Sequence, residues 1–260
     1  MRYTIEFAGE TAEENGVLVQ HRPNISTSEE VVDSHELPGR DGELITDAGI
    51  RRNVEIEVEL GFRAEPDQWN QVYRSCKRWL RKKGILRLSD DSGYFRRVKR
   101  VVIGTAERET LRIGKFSVFF VCSPEEFLDS GQQRLSPKLV AYNPYSVSRP
   151  VYYITGEGEC TLTVNGQRLV MDIYDNMVID TERWISYREY DHTVYLLAHD
   201  GSPLLTESGA PLIRSYGHPG LINDHETRGD YTDLYLQEGD NTFSVSDGFE
   251  LKIMPNWRCL

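Results

Sequence analysis

The sequence predicts a mainly β protein with one amphipathic helix, built as an N-terminal β-domain followed by a C-terminal β-sandwich. Three observations predict it: strict apolar/polar alternation over residues 53–60, one helical stripe between Trp69 and Leu80, and short strands separated by turn signals from Val151 onward. With 260 residues, 39% of them hydrophobic and 10% aromatic, the chain can bury one large or two medium β-rich cores, of which two are favoured. Its 27% of charged residues belongs to a globular rather than a disordered composition.

In NVEIEVEL, Val54, Ile56, Val58 and Leu60 alternate with Asn53, Glu55, Glu57 and Glu59, which describes a strand with one buried and one wet face. Pro66 and Asp67 then open a helix in which Trp69, Val72, Tyr73, Cys76, Trp79 and Leu80 share a stripe, and Lys82, Lys83 and Gly84 close it. Acid is expected in its first turn and base in its last, as the helix dipole prefers. GILRLSDDSGYFRRVKRVVIG reads as a hairpin of Ile85–Leu88 and Tyr94–Ile103 around a turn at Ser89–Gly93, and KFSVFFVC (115–122) adds a strand. The segment RLSPKLVAYNPYSVSRP (134–150), with three prolines, is the expected boundary region, dividing the chain into domains 1–142 and 143–260.

In the second domain CTLTVNGQRLVMDI places Asn165-Gly166 between two alternating runs, the signature of a type I′ hairpin because both residues tolerate positive φ. GEGEC (156–160) reads as a strand-to-strand turn. Further strands are expected in MVIDTE (177–182), VYLLAHD (194–200), YTDLYL (231–236), NTFSVSDG (241–248) and FELKIMPNWRCL (249–260), with a turn at Gly239-Asp240-Asn241. The repeat DGSPLLTE (200–207) and SGAPLI (208–213), two copies being too few for a solenoid, marks an insertion near 196–220, read as a surface loop or, alternatively, as a projecting β-hairpin or fibre-like element.

Several function classes find no support. No apolar run has the length of a signal peptide or of the ~20 residues a membrane span needs, so no membrane insertion and a cytosol-like compartment are expected. Cys76, Cys122, Cys160 and Cys259 are too dispersed for a CxxC or zinc-finger spacing and read as reduced, mostly buried thiols. His192, His199, His218 and His225 lie near Asp191, Asp200 and Asp224, but no pair has HxH or HxxxH spacing, so no metal site is expected. There is no GxSxG, and the adjacent acids Glu125-Glu126, Asp90-Asp91 and Glu29-Glu30 point to opposite faces of a strand, the wrong arrangement for glycosidase acids. No catalytic residue, cofactor or enzymatic activity is therefore expected.

The net charge of −11 is unevenly distributed. Residues 1–65 carry 15 acidic and 6 basic side chains (net −9), residues 66–140 carry 8 and 16 (net +8), and residues 141–260 carry 18 and 8 (net −10). An acidic chain is a poor general binder of nucleic acid. The motif LPGRDGEL has the chemistry of a tight turn: Pro38 fixes φ, Gly39 and Gly42 accept conformations closed to other residues, Asp41 can bond a neighbouring N–H, and Arg40 can pair with a carboxylate of its own or a neighbouring chain. A structural turn or a subunit contact is the expected role of Pro38, Gly39, Arg40, Asp41 and Gly42.

Taken together and in this order, LPGRDGEL (37–44), WNQVYRSCKRWLRKKGILRLSDDSGYF (69–95), NPYSVSRPVYYITGEGECTLTVNG (143–166), VIDTE (178–182), LQEGDNTFSV (236–245) and LKIMPNWR (251–258) resemble the siphophage distal tail protein (Dit) family over nearly the whole chain. The stretch from about 196 to 220 departs from the compact connection expected there. The resemblance implies a ring-forming N-terminal domain, a hexamer at the distal end of the tail tube, and a galectin-like C-terminal sandwich facing outward. It implies a virion structural protein of the phage tail tip, present in the host cytoplasm during assembly. Its expected partners are copies of itself, the tail tube protein, the tail-tip hub protein and receptor-binding or fibre proteins of the baseplate. Since the genome would cross such a ring, a DNA-contacting role for the basic middle is available, yet tight phosphate contacts would retard passing DNA. Subunit contact is preferred: Arg96, Arg97, Lys99 and Arg100 are expected to meet Glu55, Glu57 and Glu59 within or between subunits. The alternative reading is a carbohydrate-binding module for host attachment, with Trp184, Tyr187 and Tyr190 as aromatics, and a further one is a wall-degrading enzyme.

Overall fold

The computed structural model describes residues 3–36, 39, 41–189, 194–195, 202, 204–205, 213–214, 220–221 and 227–260. The 196–220 insertion with its repeat, the four clustered histidines, Tyr190, Pro38 and Arg40 fall largely or wholly outside these residues. The chain is mainly β and divides into two compact units, Met1–Ser130 with Arg258–Leu260, and Gly131–Trp257. This division lies upstream of the boundary at 142/143, because Leu135 bridges to Ile253 and Tyr142–Asn143 pairs with Gly239–Asp240, all inside the second unit.

The first unit contains β1 (Ile5–Phe7), β2 (Glu10–Thr11), β3 (Leu18–Val19), β4 (Glu30–Glu36), β5 (Glu43–Arg51), β6 (Val54–Arg63), α1 (Trp69–Leu80), β7 (Ile85–Leu88), β8 (Tyr94–Ile103), β9 (Glu107–Arg108), β10 (Ile113–Cys122) and β11 (Glu126–Leu128). Its antiparallel sheet runs in the order β2-β1-β7-β8-β10-β6-β3, and the C-terminal strand Arg258–Cys259 adds to β11. The alternation read in NVEIEVEL is seen directly: Val54, Ile56, Val58 and Leu60 are buried and the three glutamates between them exposed. On the buried side lies α1 with Trp69, Cys76, Trp79 and Leu80, while Val72 and Tyr73 are half-buried. The first turn of α1 carries no acid: Gln68 is the N-cap, which leaves Asp67 outside the helix. Trp79 anchors the layer, its indole N–H donating to the Phe7 carbonyl at 3.0 Å and its ring meeting Phe7 edge-on at 6.2 Å.

The second unit contains α2 (Pro137–Val140), β12 (Tyr142–Asn143), β13 (Val151–Val164), β14 (Gln167–Asp180), β15 (Ile185–Arg188), β16 (Val194–Tyr195), β17 (Ile213–Arg214), β18 (Gly220–Leu221), β19 (Thr227–Arg228), β20 (Gly239–Asp240), β21 (Phe243–Val245) and β22 (Glu250–Met254). β13 and β14 form one unbroken 14-pair ladder from Val151↔Asp180 to Val164↔Gln167. Asn165 and Gly166 turn it at φ 51° and 86°, the positive values a type I′ turn requires. Strands β15 and β18 continue the sheet beyond β14 and β21 beyond β13, while β19 also pairs with β14 and β22 with β13.

Three readings are corrected here. GEGEC is no turn but the middle of β13, where the Phe249 ring approaches Gly156 so closely that a Cβ would lie 2.2 Å from its Cδ1. MVIDTE begins no new strand; residues 177–180 are the end of β14. YTDLYL opens as a 3-10 turn, Tyr231–Leu234, because the Asp230 carboxylate accepts the Thr232 N–H at 2.8 Å and captures the backbone locally.

All four cysteines are free, and Cys76, Cys122 and Cys160 are buried. Burial pushes the Cys76 thiol up to about 11 and that of Cys122 to about 12. An iodoacetamide pulse on the native protein at about pH 8 should therefore modify Cys259 first and leave Cys76 and Cys122 untouched until the chain unfolds. Mass spectrometry of tryptic peptides reads the order, and rapid native labelling of Cys76 would contradict it.

Candidate assembly surface

The least protected element of the first unit is the hairpin β4–β5, which pairs with no other strand among the described residues. Its register runs from Glu36↔Glu43 through Ser34↔Ile45 and Val32↔Asp47, with a bulge before Glu30↔Arg51. Of the residues between its strands, Gly39 and Gly42 have φ of 82° and 86°, values glycine adopts without strain, and Asp41 is exposed. At the base, Arg51 pairs with Glu30 and Arg52 lies 3.8 Å from Glu29. Between base and tip the arm exposes apolar side chains: Val32 at 45%, Leu44 at 46%, Ile45 at 63% and Ile50 at 60%. A lone two-stranded ribbon is marginal in water, so an arm that shows aliphatic side chains on this scale invites a covering surface.

The expected charge partners are not brought together within one subunit. β10 lies between β6 and β8, so Glu55 stands opposite Val121, which in turn stands opposite Arg100; Glu57, Phe119 and Val102 form the next such row. Glu55 and Arg100 thus share a sheet face but lie two strand spacings apart, roughly 10 Å, too far for an ion pair. Arg96 is 8% exposed and paired to Glu126, while Arg97 stacks on the Phe127 ring at 4.0 Å, so both serve the interior of the unit. Lys99 and Arg100 are exposed. Glu59 meets His21 at 3.8 Å, and Glu55 and Glu57 make no ion pair among the described residues.

A second basic surface, on α1, emerges more clearly than the one on β8. Arg74, Lys77, Arg78 and Arg81 recur at i, i+3, i+4 and i+7 and line a shallow depression of about 280 Å³. Lys77 leans over its own Tyr73 ring at 4.7 Å, and none of the four has an acidic partner within 4.0 Å among the described residues.

In the second unit, polar side chains missed in the sequence hold the loops. Asn241, 4% exposed, donates to the carbonyls of Gln237 and Gly239 at 2.9 and 3.0 Å and accepts from Asn165 Nδ2 at 2.8 Å. Of the aromatics singled out in the sequence, Trp184 is 60% exposed, held at φ 55° with its indole donating to the Tyr235 hydroxyl at 3.0 Å, and Tyr187 is half-buried. Among the described residues no three His, Cys, Asp or Glu side chains are grouped to hold a metal, and no helix is long and apolar enough to cross a membrane.

No protein-family profile and no curated protein matches the chain. Among solved structures, the fold is similar to that of the Dit protein of SPP1, presented as a paradigm of the hub adsorption apparatus in phages infecting Gram-positive bacteria. The TM-score is 0.60 at 14% identity, covering 97% of this chain and 98% of that one. A weaker similarity, with a TM-score of 0.42 at 9% identity over 97% of each chain, is to the phage p2 baseplate in its activated conformation with Sr. The chain thus has the fold of the SPP1 Dit protein along nearly its full length.

Proposed function

We propose that this chain is a structural protein of a long-tailed phage that closes into a hexameric ring at the distal end of the tail tube. There it serves as the assembly hub of the tail tip or baseplate. The observation that carries the ring is the β4–β5 arm, a two-stranded ribbon with exposed Val32, Leu44, Ile45 and Ile50 that pairs with no other strand among the described residues. The Dit-like fold supports the setting. In this reading the tail tube protein and the tail-tip hub protein meet the ring formed by the first unit. The second unit is a galectin-like sandwich that docks receptor-binding or fibre proteins, and the protein assembles in the host cytoplasm. The role is structural, not catalytic. Replacing residues 30–51 by a short Gly-Ser linker should leave a folded monomer by circular dichroism and analytical ultracentrifugation. A ring unchanged by that deletion would overturn the arm's part in it.

A second reading is favoured by exposed aromatics in the second unit. Tyr174 is 52% exposed, carries the Arg188 guanidinium 5.4 Å from its ring centroid, and borders an open depression of about 460 Å³ lined also by Thr155, Glu157 and Asp175. Aromatic faces flanked by polar side chains suit a host-surface saccharide. A glycan array probed with the full chain tests it: binding lost in Tyr174→Ala supports the reading, and a blank array ends it.

A further inference from the structure

The arm and the helix each carry charges that repel one another within a single subunit. On the arm, Glu36 and Glu43 stand directly opposite, and Asp47 lies on the same face two pairs away opposite Val32, with the Ser34 and Ile45 pair between them. Like charges across a ribbon are unfavourable, and no basic side chain faces them among the described residues, because Arg51 and Arg52 are engaged at the base. On α1, Arg74 with Arg78 and Lys77 with Arg81 are like-charged pairs one turn apart, again without acids. Each surface is self-repelling, and each carries what the other lacks.

We propose that the arm of one subunit lies along the α1 face of a neighbouring copy, with Glu36, Glu43 and Asp47 meeting Arg74, Lys77, Arg78 and Arg81. This inference rests on the ring reading and names the surface that receives the arm. Carboxylates set among exposed aliphatics fit a helix face whose arginine and lysine stems are themselves apolar up to their charged heads. The charges fix which face the arm selects and how fast it docks, while Val32 and Ile45 supply the buried area. A nucleic acid would answer the helix charges but would leave the carboxylates of the arm unmatched, which is why a second copy is the occupant.

Two charge-reversed full-length chains test this: E36K/E43K/D47K on the arm and R74E/K77E/R78E/R81E on the helix. Each alone should keep its circular dichroism spectrum and assemble at least roughly ten-fold more weakly at low salt. An equimolar mixture should recover the ring, as should a chain carrying both sets, because arm and helix are again complementary. Wild-type assembly that neither set disturbs would overturn the proposal, as would assembly that each set abolishes and the mixture fails to restore. A low-salt gel shift with a short DNA duplex, lost in the helix variant while assembly persists, would give the basic face to nucleic acid instead. If the wild-type chain itself never assembles, the ring reading fails before the pairing is reached.

Discussion

Trp79→Ala should unfold the first unit or bring it close to unfolding. Trp79 is 1% exposed, pins α1 to the sheet and donates to the Phe7 carbonyl, so truncation leaves both a cavity and a buried acceptor without its partner. Loss of a buried tryptophan costs about 3–5 kcal/mol, comparable with the whole stability of many domains. Trp79→Phe keeps an aromatic ring beside Phe7 but not the N–H, and should cost about 1–3 kcal/mol. Urea denaturation followed by circular dichroism separates the two variants. A midpoint unchanged in Trp79→Ala would show that the helix is held by something else.

Gly131→Ala should be nearly as damaging to the second unit. Gly131 is buried where the Trp257 backbone passes, and a Cβ there would lie 2.4 Å from the Trp257 nitrogen and 2.9 Å from its Cβ. The Asn256 N–H also donates to the Gly131 carbonyl at 2.9 Å, so neither segment can withdraw without breaking that bond. Forced overpacking of this kind costs about 3 kcal/mol. Gly61→Ala is the control: the atom nearest its Cβ, at 2.1 Å, is the side-chain amide nitrogen of Gln20, which can swing aside. Thermal unfolding should separate the two by roughly 6–12 °C, at about 2–4 °C per kcal/mol for domains of intermediate size. Equal melting temperatures would mean that the loop around Gly131 yields freely.

Neither contact was legible in the sequence, whereas the local patterns were. The alternation of β6, the stripe of α1 and the Asn165-Gly166 hairpin could be read because each is a local pattern imposed by burial on one face or by a turn's need for positive φ. The β4–β5 arm was not read as strands. VVDSHE and ELITDAGIR lie almost wholly in solvent, so no buried face imposes period-two alternation; the Pro-Gly-Arg-Asp-Gly turn between two short apolar runs was the available signal. YTDLYL misled because its alternation is real, while the Asp230 cap that overrides it is a single side chain.

The charge split of the first unit was visible in composition, but its distribution was not. Arg96 is drawn inside by Glu126, thirty residues on, and only the strand order shows that β10 separates Glu55 from Arg100. The basic side chains of α1 stand in the sequence at helical spacing, yet their lack of an acidic partner among the described residues depends on where the other elements lie. The same limit hides Asn241, whose partner Asn165 is 76 residues away. Long-range polar pairs leave no periodic trace in a chain.

The account turns on whether identical copies close on one another through the first unit. Negative-stain electron microscopy of the purified full-length protein at low salt tests this most directly. Rings of six-fold symmetry with a central opening are the predicted result. Single particles of monomer size at every concentration imaged would contradict it.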